Sequence, residues 1–187
     1  MTTTVFLSGS RKISRLNYMI RRRIEKMIDQ GFHIVIGDAN GADKALQSYL
    51  AEAHFDNVKI FCAGSTCRNN IGEWKVKNID VNPNVKGREF YAQKDKAMAL
   101  EADFGFILWD GKSAGSVNNI VELLKAHKSV VVYFAPKKEF HTLKRLGDVH
   151  SLLKHCGEIH YRNIIKKTGL DRQLEDLGES PQGSLSL

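Results

Sequence analysis

Three short segments gather the residue types that hold anions. Ser8, Gly9, Ser10 and Arg11 follow one apolar run; Gly37, Asp38 and Gly41 follow a second; Asp110, Gly111, Ser113, Gly115 and Ser116 follow a third. Glycines let backbone amides approach a ligand closely, and serine hydroxyls add donors. A loop that opens a helix adds the partial positive charge of that helix's N-terminus. Arg11 carries a planar fork suited to gripping a phosphate through two bonds. Together these residues point to a phosphate-bearing ligand. The GxxxxGK[ST] spacing of a P-loop is missing from the first loop, which excludes a Walker-type site.

Two carboxylates, Asp38 and Asp110, stand at the ends of apolar runs. There they can accept from ribose hydroxyls or serve as catalytic acid/base groups on a nucleotide. Asp43 lies three residues after Asn40, a spacing that suits capping of the next helix. Ser113 and Ser116 have two compatible readings, helix cap and phosphate ligand. Trp109 reads as core packing. Tyr91 and Lys94 read as helix-surface residues with the option of facing the site. His141, His150, His155, Cys156 and His160 show no metal-ligand spacing, so no metal site and no cofactor is expected.

The elements that must position these residues alternate along the chain. Apolar runs at Thr4–Leu7, Phe32–Ile36, Val58–Phe61, Phe104–Trp109 and Ser129–Phe134 read as strands. Helical periodicity falls between them: Leu16, Ile20, Ile24, Met27 and Ile28; Ala42 to Ala53; Arg88 to Leu100; Val117 to Ala126. Buried strands separated by helices predict an α/β fold: a Rossmann-like, doubly wound parallel sheet of about five strands, with helices on both faces. Such a sheet binds ligands beyond the carboxyl ends of its strands, where all three loops fall. Ala63 to Lys86 has no sustained period and reads as a long loop or insertion (63–86) within a nucleotide-binding domain at 1–135. Residues 136–176 form a C-terminal extension, with a helix expected near Gly147–His155 and a strand around Glu158–Arg162. The Gly- and Ser-rich stretch 177–187 reads as a disordered tail.

Composition narrows the class. The chain has 187 residues, is 42% hydrophobic, and carries 28 Lys and Arg against 21 Asp and Glu, a net charge of +7. No apolar run reaches membrane-spanning length, and the first residues lack a secretory pattern. Cys62, Cys67 and Cys156 are an odd set without paired spacing, which suits a reducing cytoplasm. The positive charge favours phosphate-bearing partners without choosing among them. It is spread over Arg11, Lys12, Arg15, the run Arg21 to Arg23, and lysines late in the chain, a distribution that suits a solvated surface.

Four segments carry a resemblance: VFLSGSRK, IVIGDANGADKAL, REFYAQKDKAM and ADFGFILWDGKSAGSVNNI. Across residues 4–135 they resemble the SLOG superfamily of Rossmann-like nucleotide-binding proteins, particularly its YspA-like branch. The GxxGAD element is their most specific part. The resemblance implies a Rossmann-like fold and a nucleotide-derived ligand. It also implies a homo-oligomer and relationship to Lonely Guy phosphoribohydrolases and DprA-type domains. In the phosphoribohydrolases a PGGxGTxxE motif and an upstream arginine cleave an N-glycosidic bond. Here Gly115 and Ser116 stand where Gly-Thr would be, Arg88 matches the arginine, and Asn119 replaces the glutamate. An amide cannot accept the proton a carboxylate would. The expected function is therefore binding of a nucleotide or nucleotide-derived small molecule. N-glycosidic hydrolysis is the first alternative. A DprA-like nucleic-acid module, in which Arg21 to Arg23 would matter, is the second.

Overall fold

A computed structural model describes residues 2–82 and 84–176. The strands are β1 (Thr4–Gly9), β2 (His33–Gly37), β3 (Val58–Ala63), β4 (Lys75–Ile79), β5 (Phe104–Trp109), β6 (Ser129–Phe134) and β7 (Glu139–Leu143). The helices are α1 (Tyr18–Asp29), α2 (Ala42–Glu52), α3 (Arg88–Glu101), α4 (Ala114–Lys125), α5 (Gly147–Leu153), α6 (Glu158–Thr168) and α7 (Leu170–Asp176). One seven-stranded sheet runs in the order β4-β3-β2-β1-β5-β6-β7. Every pairing is parallel except β6 with β7. The fold is a Rossmann-like α/β sheet.

Alternation along the strands builds two cores. Val5 and Leu7 of β1, with Phe106 and Leu108 of β5, pack against Ile20, Ile24, Leu46 and Leu50 of α1 and α2. Phe6, Ile107 and Trp109 face the other way, onto Met98 of α3, Ile120 and Leu124 of α4, and Val149, Ile164 and Leu170 of the extension. Strands buried on both faces explain why their sequences read as unbroken apolar runs. Trp109 is fully buried, in agreement with its reading as core.

The chain builds the sheet outward from β1 through β4, then crosses back to place β5 on β1's other side. The reversal lies between β1 and β5, and there the loops after the two strands part to leave a crevice. Asn17 caps α1 through the Ile20 amide, and Ser113 caps α4 through the Ser116 amide.

The sequence reading requires three corrections. There are seven strands, because the 63–86 stretch contains β4 and the extension contributes β7. Their sequences, KVKNI and EFHTL, are half-exposed edge strands and lack the apolar run that marks a buried one. The segment expected as a strand at Glu158–Arg162 is part of α6, whose Ile164 and Leu170 beyond it complete the core over α4. Cys62 and Cys67 are paired in a disulfide, with Cα atoms 5.3 Å apart. The loop after β3 turns back on itself to bring them together, which a spacing of five does not reveal. The expected tail, 177–187, lies outside the described residues. Among the described residues no helix is long and apolar enough to cross a membrane.

The closeness of β1 to its neighbours is testable at Gly9. A Cβ there would lie 2.6 Å from the Leu108 carbonyl oxygen and 2.8 Å from Ala42 Cβ. Gly9→Ala is expected to lower the unfolding free energy in urea by about 1–3 kcal/mol. Gly115→Ala, whose Cβ would meet nothing nearer than 3.7 Å, is expected to be neutral or slightly stabilising. Equal losses in the two variants would contradict tight packing at Gly9.

Candidate functional site

The crevice between β1 and β5 is a cleft of about 920 Å³. The loops after β1 and β5 form one side, the first turns of α3 and α4 the other, and Lys167 at the end of α6 completes the rim. Of the residues singled out from sequence, Ser8, Gly9, Arg11, Arg88, Asp110, Ser113, Gly115, Ser116 and Asn119 line it. The loops after β1 and β5 meet at this cleft, and the loop after β2 reaches it through Ala39 alone.

The other candidates support the cleft from behind. Ser10 is fully buried; its hydroxyl lies 3.0 Å from Asp110 Oδ1 and 2.9 Å from Ser116 Oγ, and accepts from the Asp110 amide at 3.1 Å. Gly41 adopts φ +84° and packs so closely on Arg11 that a Cβ would lie 2.2 Å from the Arg11 carbonyl oxygen. Gly111 turns the chain at φ +78° beside Phe134. Gly37 leaves room for two charged groups: a Cβ there would lie 2.5 Å from Lys94 Nζ and 2.7 Å from Asp43 Oδ2.

Both carboxylates expected to face the ligand have other work. Asp38 is gripped by Arg68, with Nη2 donating to Oδ1 at 2.7 Å, Nε to Oδ2 at 3.1 Å, and the Arg68 amide to Oδ2 at 3.0 Å. Burial would raise the Asp38 carboxyl, but the Arg68 bonds and charge outweigh it and hold it below its ordinary value. Asp38 is 2% exposed and does not line the cleft. Asp110 Oδ1 accepts from the Lys112 and Ser113 amides at 3.0 and 2.8 Å, fastening the turn before α4. Arg88 donates to the Lys167 and Ala114 carbonyls at 2.9 and 3.1 Å, joining the extension to α4 across the cleft. Burial draws its pKa down, against the pull of Asp95.

Asp43 is the main residue the sequence reading misassigned. Its carboxylate does not cap α2 in the expected way, since the N-cap is Gly41 and no side chain caps that end. It lies on the cleft floor, 3.2 Å from Ser8 Oγ and 3.4 Å from the Ala39 amide. Burial pushes its pKa up to about 6, opposed by the Lys94 ammonium and reinforced by Asp95. Lys94 is itself buried; burial would lower it, yet Asp95 at 2.9 Å and the charge of Asp43 hold it above its ordinary value. Arg68 was also missed. Its guanidinium sits 4.5 Å from the centre of the Tyr91 ring, and both residues line the cleft. Asn119 donates from Nδ2 to Ser8 Oγ at 3.0 Å, while its Oδ1 is buried without a partner.

At the start of α4, the Ser113 hydroxyl takes the Ser116 amide and the Asp110 carboxylate takes that of Ser113. Helical geometry leaves the Ala114 and Gly115 amides as donors at the cleft wall. Arg21 to Arg23 lie elsewhere: Arg21 donates to the Leu16 carbonyl, Arg22 pairs with Glu25, and Arg23 stacks on Phe140. None of the extension's histidines lines the cleft.

The Asp43 environment has a measurable consequence. A carboxyl raised from 3.8 to about 6 binds its proton more tightly folded than unfolded. Its burial therefore costs stability above pH 6, and the cost disappears as pH falls toward 4. In denaturant titrations the advantage of Asp43→Asn over the parent chain is expected to grow by up to about 3 kcal/mol between pH 4 and 7.5. A difference flat with pH would mean that Asp43 titrates normally.

No family model matches the chain, and no curated protein matches it in sequence. Among solved structures it is similar to DNA processing protein A from Helicobacter pylori, a structure described for its single-stranded DNA binding mode. The TM-score is 0.55 at 15% identity, covering 93% of this chain and 81% of that one. At this identity the likeness shows the fold alone, and it agrees with the Rossmann-like sheet.

Proposed function

We propose that the cleft binds a phosphate-bearing ligand derived from a nucleotide, and that the chain is a SLOG-superfamily protein of the YspA-like branch. The observation that carries this is the convergence of basic side chains on one cleft. Arg11, Lys12, Arg88, Lys112 and Lys167 line it and pair with no carboxylate among the described residues. Like charges gathered around a cavity repel one another, and an anion relieves that repulsion. The Ser113 hydroxyl, which accepts from the Ser116 amide and keeps its own proton to give, and the two amides of α4's first turn supply directed bonds that a phosphate takes. In this reading residues 1–135 form the nucleotide-binding unit, and the extension contributes Lys167. A homo-oligomer in the cytoplasm belongs to the same proposal. Hydrolysis is disfavoured, since Asp38 and Asp110 are committed to structural bonds and Asn119 replaces the glutamate.

Calorimetry against AMP, NAD, ADP-ribose and cyclic nucleotides tests the reading. At least one is expected to bind, with Arg11→Ala and Lys112→Ala each weakening it by about tenfold, the worth of one charge-assisted bond. Arg22→Ala, on α1, is expected to have no effect. Absence of binding at millimolar ligand overturns the proposal.

A second reading is a single-stranded nucleic acid laid along the cationic rim, favoured by the fold shared with the DNA-binding neighbour. It predicts that a labelled oligodeoxynucleotide binds with affinity falling steeply as salt rises, and that Arg11→Ala and Lys112→Ala reduce the slope. Unchanged anisotropy at low salt removes it.

A further inference from the structure

The rim of the cleft is cationic, but its floor is not. Below Arg11 and Lys112 lie Ser8, Asp43, Lys94 and Asn119, each 3–6% exposed and each lining the cleft. Asp43 and Asp95 place two carboxylates around the single ammonium of Lys94, and the neighbouring Asp38 is already paired with Arg68. An anionic phosphate driven to this floor would meet a buried carboxylate, so the phosphate belongs at the rim and a neutral part of the ligand belongs inside.

The floor offers acceptors. Ser8 Oγ stands between the Asp43 carboxylate and the Asn119 amide, bonded to both at 3.2 and 3.0 Å. That places Asp43 and Asn119 one hydroxyl apart on the same surface. Asn119 Oδ1 is buried with no hydrogen-bond partner. A buried carbonyl oxygen left unpaired costs about 1–3 kcal/mol, and a ligand donor reaching it recovers that cost. Two acceptors on residues that share Ser8 on one cleft floor, one of them a carboxylate, suit two neighbouring O–H donors.

The geometry points to a sugar subsite on the cleft floor, in which Asp43 and Asn119 accept from the vicinal 2′- and 3′-hydroxyls of a ribose whose phosphate lies at the rim. This rests on the phosphate-binding reading above and refines it, making the cleft selective for ribonucleotide over deoxyribonucleotide chemistry. Ser8 acts as a positioning residue, holding the two acceptors in register. Lys94 keeps the Asp43 carboxylate ionised at neutral pH despite its burial. Asp43 is the stronger acceptor of the two because it carries charge.

The test is calorimetry with AMP, 2′-deoxy-AMP and 3′-deoxy-AMP on the full chain. AMP is expected to bind at least fivefold more tightly than either deoxy analogue. Asp43→Asn and Asn119→Ala, checked for folding by circular dichroism, are each expected to weaken AMP and the one deoxy analogue that keeps the hydroxyl whose contact the substitution removes, while leaving the other analogue little changed. The parent chain alone decides the matter if either variant fails to fold. Equal affinity for all three ligands, with Arg11→Ala still weakening every one, overturns the sugar subsite and leaves the phosphate site standing. Absence of binding by all three overturns the sugar subsite, and the panel of other nucleotides then decides the phosphate reading separately.

Discussion

The hydroxyl of Ser10 ties together the two loops that border the cleft. It is fully buried at the carboxyl end of β1, with the Asp110 carboxylate, the Asp110 amide and the Ser116 hydroxyl around it. A hydroxyl has one proton to give and two lone pairs to fill. Here the proton goes to the carboxylate, and the amide and the second hydroxyl fill the lone pairs. Among small side chains only a hydroxyl satisfies that set. Because Asp110 also fastens the Lys112 and Ser113 amides, the start of α4 is registered to β1 through this one atom. The Ser10 amide donating to the Leu108 carbonyl at 2.8 Å fixes the same register from the backbone side.

Sheet order decides where that register matters. With β1 and β5 adjacent and their crossovers leaving in opposite directions, the helices that follow lie on opposite faces. The strand ends are then uncovered, and the polar atoms there must be satisfied by each other or by something that enters. Most are satisfied internally. The exceptions, the Ala114 and Gly115 amides at the wall and Asn119 Oδ1 on the floor, differ in kind: donors outside, an acceptor inside. The charged groups follow the same division, with cations that pair with no carboxylate among the described residues at the rim, and the Asp43 carboxylate beside the Lys94–Asp95 pair below. A ligand that fits both is anionic at one end and rich in hydroxyls at the other.

Much of this was legible because the five central strands and the helices between them bury one continuous face or stripe, and burial writes itself into sequence as periodicity. The edge strands β4 and β7 bury little, so KVKNI and EFHTL carry no such mark. The loops after β1 and β5 were legible because their Gly, Ser and Asp residues stand between a strand's carboxyl end and a helix start. Asp38 and Asp43 were read in reverse. Both follow β2, and no local pattern tells which faces the cleft; the answer depends on Arg68, which comes from the insertion and takes Asp38 for itself. Arg68 belongs to no periodic segment, and its relevance appears only once the insertion has folded back.

That folding back is held by several bonds. The Cys62–Cys67 disulfide closes the loop immediately before Arg68. Asn69 Nδ2 donates to the Asp38 carbonyl at 2.8 Å, and Gln47 of α2 donates to the Gly37 carbonyl at 2.8 Å while accepting from the Ile71 amide at 3.0 Å. Gln47, fully buried, therefore links the end of β2 to the insertion. The result is a wall of Arg68 stacked on Tyr91, built from β2, α3 and the insertion, that meets the cleft floor at Asp43 and Lys94. The cationic rim comes largely from the loops after β1 and β5 with α4, and this wall from a different set of elements. Changes in the insertion can therefore reshape the cleft floor without disturbing the Ser10-centred register that positions the loops after β1 and β5.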